Sequence, residues 1–364
     1  MGSRRTYLKN LTQLLTLPGD GVFTVQTAKD KKENLLQNYY QTKSPLKAKL
    51  KWEKNLEALT EELPMILGIP SDNGGGIQRG ANWGPLAIRE EILPHRKEYQ
   101  DLGDVRVIPH LLEDRYLNEE TIKICRKALY GKNNKLPVSP LSMADLALKD
   151  IYRKYPKAKI LGLGGDHSTS FPLVKNWIES RSNKKKSALI HFDAHTDLLD
   201  RRLGIDMCFG TWAYHILKDL HSPDHLVQLG IRSSGKTKTF WKSKLGVDQY
   251  WAKDIKKLGI EKTFKKISLK LKKLGIEEIY ISFDIDALDF KFASATGTPE
   301  PHGLNPVEAT ALIHLFSQEF NITGADLMEV APFVSQPGSS EIERISSLKV
   351  AGDMAKSLLE VLKK

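Results

Sequence analysis

The sequence predicts an α/β fold in which a mainly parallel β-sheet lies between two layers of helices. Short apolar segments alternate with longer segments whose apolar residues recur at helical spacing. This alternation indicates parallel pairing, because the connection between two parallel strands needs a crossover that a helix can supply. Three of the apolar segments lead directly into aspartate and histidine residues. Ligands of such folds bind beyond the carboxyl ends of the strands, where these residues stand.

The predicted elements alternate along the chain after residue 60. The apolar segment 64–70 is the first predicted strand, and Pro85 favours a helix that continues to Ile92, since proline suits a first helical turn. A strand at 104–109 and helices at 121–129 and 143–152 follow. The later elements are strands at 160–163, 187–192, 226–232, 280–283 and 324–330, and helices at 171–179, 260–274, 306–320 and 340–362.

Residues 1–60 are predicted to be an N-terminal extension, a helical arm that precedes a single domain at 61–364. This extension combines a helix-like piece at 7–15 with a turn at 18–21 and a polar run at 29–33. The glycine-rich segment 73–76 lacks the lysine of a phosphate-binding loop and the spacing of a dinucleotide-binding motif. We therefore predict that 73–76 is a flexible loop near the mouth of the site.

The charged residues at three strand ends predict a metal centre. Side chains alternate along an extended segment, so Asp193, His195 and Asp197 point in the same direction after the strand at 187–192. An isolated pair of such residues is commonly a loop or a cap, but three strand ends that carry them favour a metal, because buried charges need a partner. Carboxylates and imidazoles without thiolates suit two Mn²⁺ ions better than one tetrahedral zinc. The six candidate ligands are His167, Asp193, His195, Asp197, Asp284 and Asp286.

These motifs resemble those of the ureohydrolase family of arginases and agmatinases, which are dinuclear manganese enzymes that hydrolyse a guanidino group to urea and an amine. The resemblance extends over about 64–360. It implies an arginase-like fold, a hydrolase that acts on linear amidines, and a homo-oligomer that is a trimer or a hexamer. The matching segments, in the family's order, are 80–85, 88–89, 164–168, 192–197, 282–289, 297–301, 303–304 and 328–330.

The resemblance also implies a role for each candidate residue. A hydroxide between the two ions would attack the guanidino carbon, with Asp286 as its hydrogen-bond partner. Glu329 would bind the guanidinium group, because a planar cation pairs well with a carboxylate. From the sequence alone, Glu329 could equally be a surface charge. One ion would be bound by His167, Asp193, Asp197 and Asp284, and the other by His195, Asp193, Asp284 and Asp286.

One departure from the family pattern concerns Phe209, which stands where arginases and agmatinases usually carry a proton-shuttling histidine. A phenyl ring cannot relay a proton. Cys208 and His215 are nearby in the chain, but a packing or surface role is the favoured interpretation for both. Some relatives that act on formimino substrates also lack this histidine. The alternatives are therefore a formimino hydrolase that releases formamide, and a metal-binding pseudoenzyme or regulatory subunit.

The segment 198–206 departs as well, because it lacks the asparagine and serine with which arginases hold the amino acid end of arginine. We therefore predict agmatinase-like activity rather than hydrolysis of arginine. Asp200 and Asp206 are the predicted substrate-binding residues for a basic tail, whereas Arg201 and Arg202 could meet an acidic one. For all four residues, a solvated loop charge is the alternative.

The composition excludes several other classes of protein. The net charge of +11 comes without a nucleic-acid-binding motif, and lysines are spread along helix-like segments such as 261–267, so we predict no nucleic-acid partner. We also predict no membrane association, because no apolar stretch is long enough to span a bilayer and the start lacks a secretory signal, although it fits the loose myristoylation pattern. Two distant cysteines, Cys125 and Cys208, imply no disulfide framework, so we expect a cytoplasmic protein.

Overall fold

The computed structural model describes residues 2–23, 27–73, 78–131, 135–334 and 340–364, so most of the loop predicted at 73–76 lies outside the described residues. The strands in these ranges are β1 (Leu15–Thr16), β2 (Met65–Ile69), β3 (Gln100–Val105), β4 (Ile160–Gly164), β5 (Ser187–Phe192), β6 (Leu226–Leu229), β7 (Asp248–Tyr250), β8 (Glu278–Asp284) and β9 (Asn321–Met328). The helices are α1 (Gly2–Leu14), α2 (Lys29–Tyr40), α3 (Pro45–Glu57), α4 (Gly84–Glu91), α5 (Glu119–Tyr130), α6 (Pro140–Lys154), α7 (Ser170–Ser180), α8 (Trp212–Ile216), α9 (Lys238–Leu245), α10 (Ala252–Leu258), α11 (Ile260–Lys273), α12 (Pro306–Glu319) and α13 (Glu341–Lys363).

The strands form one sheet in the order β1-β3-β2-β4-β9-β8-β5-β6-β7. Every neighbouring pair is parallel except β1 with β3. Successive strand residues are buried in two different apolar clusters, so that Leu67 and Leu189 belong to one and Ile66 and Ile190 to the other. Helices α1, α6 and α7 contribute to the first cluster, and α11, α12 and α13 to the second. The predicted α/β class, with a mainly parallel sheet between two helical layers, is confirmed.

The strand predicted at 104–109 is wrong, because the observed strand β3 lies at Gln100–Val105. This strand is hard to recognise in the sequence, because it contains two aspartates, Asp101 and Asp104. Both carboxylates are buried beside Arg89 of α4, whose Nε lies 2.9 Å from Asp101 Oδ2 and whose Nη1 lies 2.5 Å from Asp104 Oδ1. The two aspartates are compatible with a core strand because Arg89 pairs with both of them and backbone N–H groups donate to them, from Gly103 to Asp101 and from Gly19 to Asp104.

Two other predicted strands end earlier than expected. The segment predicted at 226–232 ends at Leu229, and the segment predicted at 324–330 ends at Met328. The next residues, Gly230 and Glu329, have φ angles of 94° and 63°. An extended strand cannot continue through a positive φ, so the chain turns at these two positions.

The N-terminal residues pack against the sheet of the main domain. Strand β1 pairs with β3, and Leu14 of α1 is buried in the first apolar cluster. Trp52 of α3 is also buried there, and its indole Nε1 donates to the carbonyl of Leu102 at 3.1 Å. The backbone N–H of Gly19 donates to Asp104 at 2.9 Å. The division at residue 60 into an extension and a domain stays a prediction.

The sheet order determines where the charged strand ends meet. Strands β4, β9, β8 and β5 are neighbours in the middle of the sheet and run parallel to one another. Their carboxyl ends therefore lie along one edge, and the three predicted ligand segments come together there. Among the described helices, none combines the length and the apolar character that are needed to span a bilayer.

Candidate metal centre

The predicted ligands lie directly beyond three strands. His167 begins a short 3₁₀ turn after β4, and the side chain of Asp166 caps that turn by accepting from the N–H of Ser168 at 2.9 Å. Asp193 follows β5, and Asp284 is the last residue of β8. Gly165 lets the chain after β4 approach the segment after β2 closely, because a side chain there would collide with the backbone of Ser71.

The first group of ligands, which we call the inner site, comprises His167, Asp193, Asp197 and Asp284. Nδ1 of His167 lies 3.1 Å from Asp193 Oδ2, 3.4 Å from Asp197 Oδ2 and 3.0 Å from Asp284 Oδ2. All four side chains are buried. The inner site therefore brings together the four residues that the family resemblance assigns to one ion.

The second group, which we call the outer site, comprises His195 and Asp286 together with Asp193. Nδ1 of His195 lies 3.0 Å from Asp286 Oδ2 and 3.5 Å from Asp193 Oδ1. The backbone N–H of Asp286 donates to Asp284 Oδ1 at 2.8 Å, which links the outer site to the inner one. All six predicted ligands are thus close together. Two groups have the spacing that a metal ion needs: one comprises His167, Asp193, Asp197 and a further histidine, His191, and the other comprises Asp193, His195 and Asp286.

The donor atoms of the inner site suit a divalent cation. Ser282 donates its hydroxyl hydrogen to Asp326 at 2.8 Å and lies 3.0 Å from Nε2 of His167. The hydroxyl therefore accepts from His167 Nε2–H, and this ring keeps its lone pair on Nδ1. Nδ1 is buried without a hydrogen-bond partner among the described residues, although three carboxylates surround it. A divalent ion would satisfy this nitrogen and the carboxylates together.

The charges of the inner site are not balanced by the protein alone. Burial raises the pKa of Asp197 and of Asp284 well above the usual value, and the neighbouring carboxylates raise both pKa values further. Burial would also raise the pKa of Asp193, but the contacts with His167, His191 and His195 hold it well below the usual value. Two bound cations would stabilise the ionised form of every carboxylate in the centre.

The surrounding residues hold the carboxylates in place. The indole Nε1 of Trp212 donates to Asp197 Oδ2 at 2.9 Å, and Asp197 has a φ of 50°, an uncommon value for aspartate. Asp286 accepts from the N–H of Ala194 at 3.0 Å and from the hydroxyl of Thr298 at 3.1 Å. These hydrogen bonds fix the direction in which both carboxylates point, which is how outer partners orient metal ligands.

Glu329 is buried and is not a surface charge. Only 5% of its surface is exposed, and its Oε1 accepts from the backbone N–H of His167 at 2.9 Å. Its pKa is raised well above the usual value, because it is buried and because the carboxyl groups of Asp284 and Asp166 are close. Its φ of 63° turns the chain at the end of β9. The carboxylate therefore lies beside the inner site in a region with an excess of negative charge.

The two predicted substrate residues of the segment 198–210, Asp200 and Asp206, have different surroundings. Asp206 lies between two arginines, with Oδ1 2.8 Å from Arg201 Nε and Oδ2 3.0 Å from Arg115 Nη1, so its charge is already paired. Asp200 is exposed, and its backbone carbonyl lies 3.0 Å from Nε2 of His215. The roles of Asp200 and Asp206 in substrate binding stay predictions.

Phe209, at the position of the missing histidine, packs against an arginine. The guanidinium carbon of Arg202 lies 4.6 Å from the centroid of the Phe209 ring. The thiol of the neighbouring Cys208 is buried, and burial raises its pKa, so it stays protonated and is a poor proton acceptor. The segment is tied to the centre, since the N–H of Leu199 donates to the carbonyl of Gly210 and the N–H of Tyr214 to that of Asp197.

His191 belongs to the centre although the sequence motifs did not indicate it. It lies within β5, and its Nε2 is 2.9 Å from Asp193 Oδ2. Its ring packs against the rings of His167 and Trp212, with centroids 4.9 Å and 5.0 Å apart. The available signal was a histidine inside an apolar strand, two residues before Asp193 and therefore on the same face.

Comparisons with known proteins identify the family of this chain. A family model described as the arginase family matches residues 64–354. The agmatinase of Chromobacterium violaceum is 31% identical over 297 residues, which cover 79% of this chain and 81% of that protein. The mitochondrial guanidino acid hydrolase of Homo sapiens is 30% identical over 300 residues, which cover 76% and 74%.

The similarity to solved structures supports the fold independently. The native structure of arginase from Bacillus caldovelox aligns with a TM-score of 0.62 at 22% identity, and the alignment covers 82% of this chain and 98% of that chain. At this level of identity, the likeness shows the fold alone. The matched family model covers most of the sequence and includes every predicted metal ligand. The chain therefore has the arginase fold and belongs to the arginase family of ureohydrolases.

Proposed function

We propose that this protein is a manganese-dependent hydrolase that cleaves the C–N bond of a guanidino group and releases urea and an amine. We further propose an agmatinase-like substrate rather than arginine. The family supports hydrolysis of a guanidino group, and two of the relatives are an agmatinase and a guanidino acid hydrolase. Two manganese ions in the inner and outer sites would supply the nucleophile, since a divalent metal lowers the pKa of bound water.

The observation that carries this proposal is the buried carboxylate of Glu329. It lies in the negative field of Asp284 and Asp166 and has a raised pKa, and no cationic side chain is paired with it among the described residues. A guanidinium group is a planar cation that pairs with a carboxylate through two parallel hydrogen bonds. Binding of a guanidinium group would relieve the charge excess and would place the central carbon beside the ligands of both sites.

The other residues prepare the site for the reaction. Asp286 is held by the N–H of Ala194 and the hydroxyl of Thr298, so its carboxylate cannot rotate away from the centre. His195 is partly exposed, and its Nε2 lies 3.6 Å from Glu300 Oε1 on the open side of the centre. Because His195 is partly exposed, the outer site is the part of the centre that substrate would reach first.

A formimino hydrolase is the second candidate function, and Phe209 is the observation that favours it. Phe209 stands at the sequence position where the relay histidine is expected, and its ring packs against the guanidinium of Arg202. A formimino substrate would give formamide rather than urea. The third hypothesis, a metal-binding pseudoenzyme, has less support, because five of the six predicted ligands lie in two groups with metal spacing and the sixth, Asp284, lies 3.0 Å from His167 Nδ1.

The deciding experiment measures urea release by manganese-loaded protein offered agmatine, arginine, 4-guanidinobutyrate and free guanidine. We expect urea from agmatine, little from arginine, and none in the Asp193→Ala variant. Formamide from a formimino substrate, with no urea from the panel, would establish the second candidate. Bound manganese without any product would identify a pseudoenzyme, and protein that binds no manganese would exclude the proposed chemistry.

A further inference from the structure

A row of buried polar side chains crosses the sheet from the metal centre to the edge strand β7. His191 of β5 is in register with Gln228 of β6, which is in register with Gln249 of β7. His191 and Gln228 are fully buried, and Gln249 is 9% exposed. Buried polar groups need hydrogen-bond partners, and these three residues find them in one another and in Trp251, directly after β7.

The hydrogen bonds of this row can run in only one direction, because the groups at both ends have fixed roles. The indole Nε1 of Trp251 can only donate, and it donates to Gln249 Oε1 at 3.0 Å. Gln249 therefore presents its Nε2 to Gln228 Oε1, at 2.8 Å. At the other end, the backbone carbonyl of Thr196 can only accept, and Gln228 Nε2 donates to it at 2.6 Å. The orientation of both amide groups follows.

The same orientation determines the proton position on His191. Nε2 of Gln228 carries two hydrogens, and the second one points to Nδ1 of His191 at 2.9 Å. A ring nitrogen that accepts a hydrogen bond carries no proton, so the proton of the neutral ring is on Nε2. Nε2 lies 2.9 Å from Asp193 Oδ2 and donates to it. Both nitrogens of His191 are thus engaged, and neither has a free lone pair.

We propose that His191 is a positioning residue, held as the Nε2–H tautomer by Gln228, Gln249 and Trp251, and that it orients the Asp193 carboxylate instead of binding a metal ion. By distance alone, His191 forms a group with His167, Asp193 and Asp197 that could hold an ion. The hydrogen bonds of the row exclude it from the ligand set. The proposed effect on the metal rests on Asp193 being a ligand, as the proposed function requires, whereas the tautomer rests on the hydrogen bonds alone.

The tautomer can be measured in metal-free protein, independently of activity. The chain contains ten histidines, and selective ¹⁵N labelling of histidine resolves protonated from unprotonated ring nitrogens by NMR. The His191→Asn variant assigns the relevant signals. We expect His191 to be neutral with its proton on Nε2. A proton on Nδ1, or on both nitrogens, would overturn the proposal even if the protein were an active hydrolase.

The Gln249→Glu variant tests the row at a distance from the metal ligands. A carboxylate can still accept from Trp251 but cannot donate to Gln228 Oε1. The new carboxylate would repel Gln228 Oε1, so we expect the Gln228 amide to turn and to give up its hydrogen bond to the Thr196 carbonyl. Its oxygen would then face His191 Nδ1, which would move the proton of His191 from Nε2 to Nδ1. We also expect Mn²⁺ affinity to fall about 10- to 100-fold, the usual effect of disturbing partners of metal ligands.

The matched control is Gln318→Glu, the same change at an exposed position of α12. Calorimetric titration with Mn²⁺ should give the wild-type affinity for this control. If Gln249→Glu leaves both the tautomer and the Mn²⁺ affinity unchanged, the row does not position His191. Should Gln249→Glu fail to fold, Trp251→Phe removes the donor that fixes Gln249 while it keeps an aromatic ring, and the same outcomes apply.

Discussion

The inner and outer sites share Asp193, yet their surroundings differ. The side chains of the inner site are almost fully buried, whereas the side chain of His195 in the outer site is 28% exposed. The inner histidine packs against Trp212 with ring centroids 4.8 Å apart, and the outer one faces Glu300 and solvent. The difference indicates a division of roles. We therefore expect the inner site to retain a cation more tightly and the outer site to be the one that substrate approaches.

Replacement of the shared residue should give the largest effect. Asp193→Ala removes an oxygen ligand from both sites and leaves His167 and His195 without their common partner. We expect loss of both manganese ions, measured by elemental analysis after desalting, and urea release at the background rate. Asp353→Ala is the matched control, because Asp353 is an exposed residue of α13. Two retained ions in Asp193→Ala would mean that Asp193 does not bridge the sites.

Replacement of the histidine in each site should show whether the two sites have different roles. We expect His167→Asn to lose the inner ion and with it most of the activity, because the buried carboxylates would keep no nitrogen ligand. His195→Asn should keep one tightly bound ion, since the inner site is untouched. Manganese stoichiometry of both variants, from electron paramagnetic resonance and elemental analysis, checks this prediction. The opposite order of loss would reverse the division of roles.

Glu329→Gln should lower kcat/KM for the substrate and should leave metal binding unchanged. The amide keeps the shape of the side chain and loses its charge, and hydrogen bonds to charged groups contribute about 1.5–3 kcal/mol. We therefore expect kcat/KM for a guanidino substrate to fall about 10- to 150-fold, with unchanged manganese content. Steady-state kinetics together with metal analysis test this. A loss of metal in this variant would place Glu329 among the ligands and would contradict its role as substrate anchor.

The smallest effects should come from the exposed loop and should depend on the charge of the substrate tail. Arg202→Ala should weaken the binding of an acidic substrate such as 4-guanidinobutyrate, and Asp200→Asn should weaken the binding of agmatine. Exposed ion pairs contribute about 0.2–1 kcal/mol, so each change in KM should be about 1.5- to 5-fold. For each variant, the substrate whose tail has the opposite charge is the control, because its KM should not change. Equal changes for both substrates would show that neither residue contacts the tail.

Much of the fold was predictable, because each strand end that carries a ligand follows an obvious apolar segment. Strand β3 was displaced in the prediction, since Asp101 and Asp104 gave it a polar appearance that only the buried Arg89 explains. Strand β7 was not predicted at all. It has three residues, two of them polar, and it is identified as a strand by its pairing with β6.

The site could also be predicted from the sequence only in part. The ligands were predictable from local spacing, whereas other features depend on partners distant in the chain. Asp206 is paired with Arg115, which lies 91 positions away, and His191 acquires its tautomer from Gln228, which lies 37 positions away. Periodicity describes which face a side chain occupies, but it does not identify the hydrogen-bond partner on another strand.

The two-residue strand β1 has a consequence for the solubility of the chain. Without β1, the backbone N–H and C=O groups on one side of β3 would form a free sheet edge, and such an edge is a template for pairing with another polypeptide. The opposite edge is the short strand β7, which offers little length for this kind of pairing. Strand β1 covers the end of β3 at Asp104 and Val105, and its removal would leave the whole of β3 as a free edge that is longer than β7. We expect a chain without β1 to aggregate more readily.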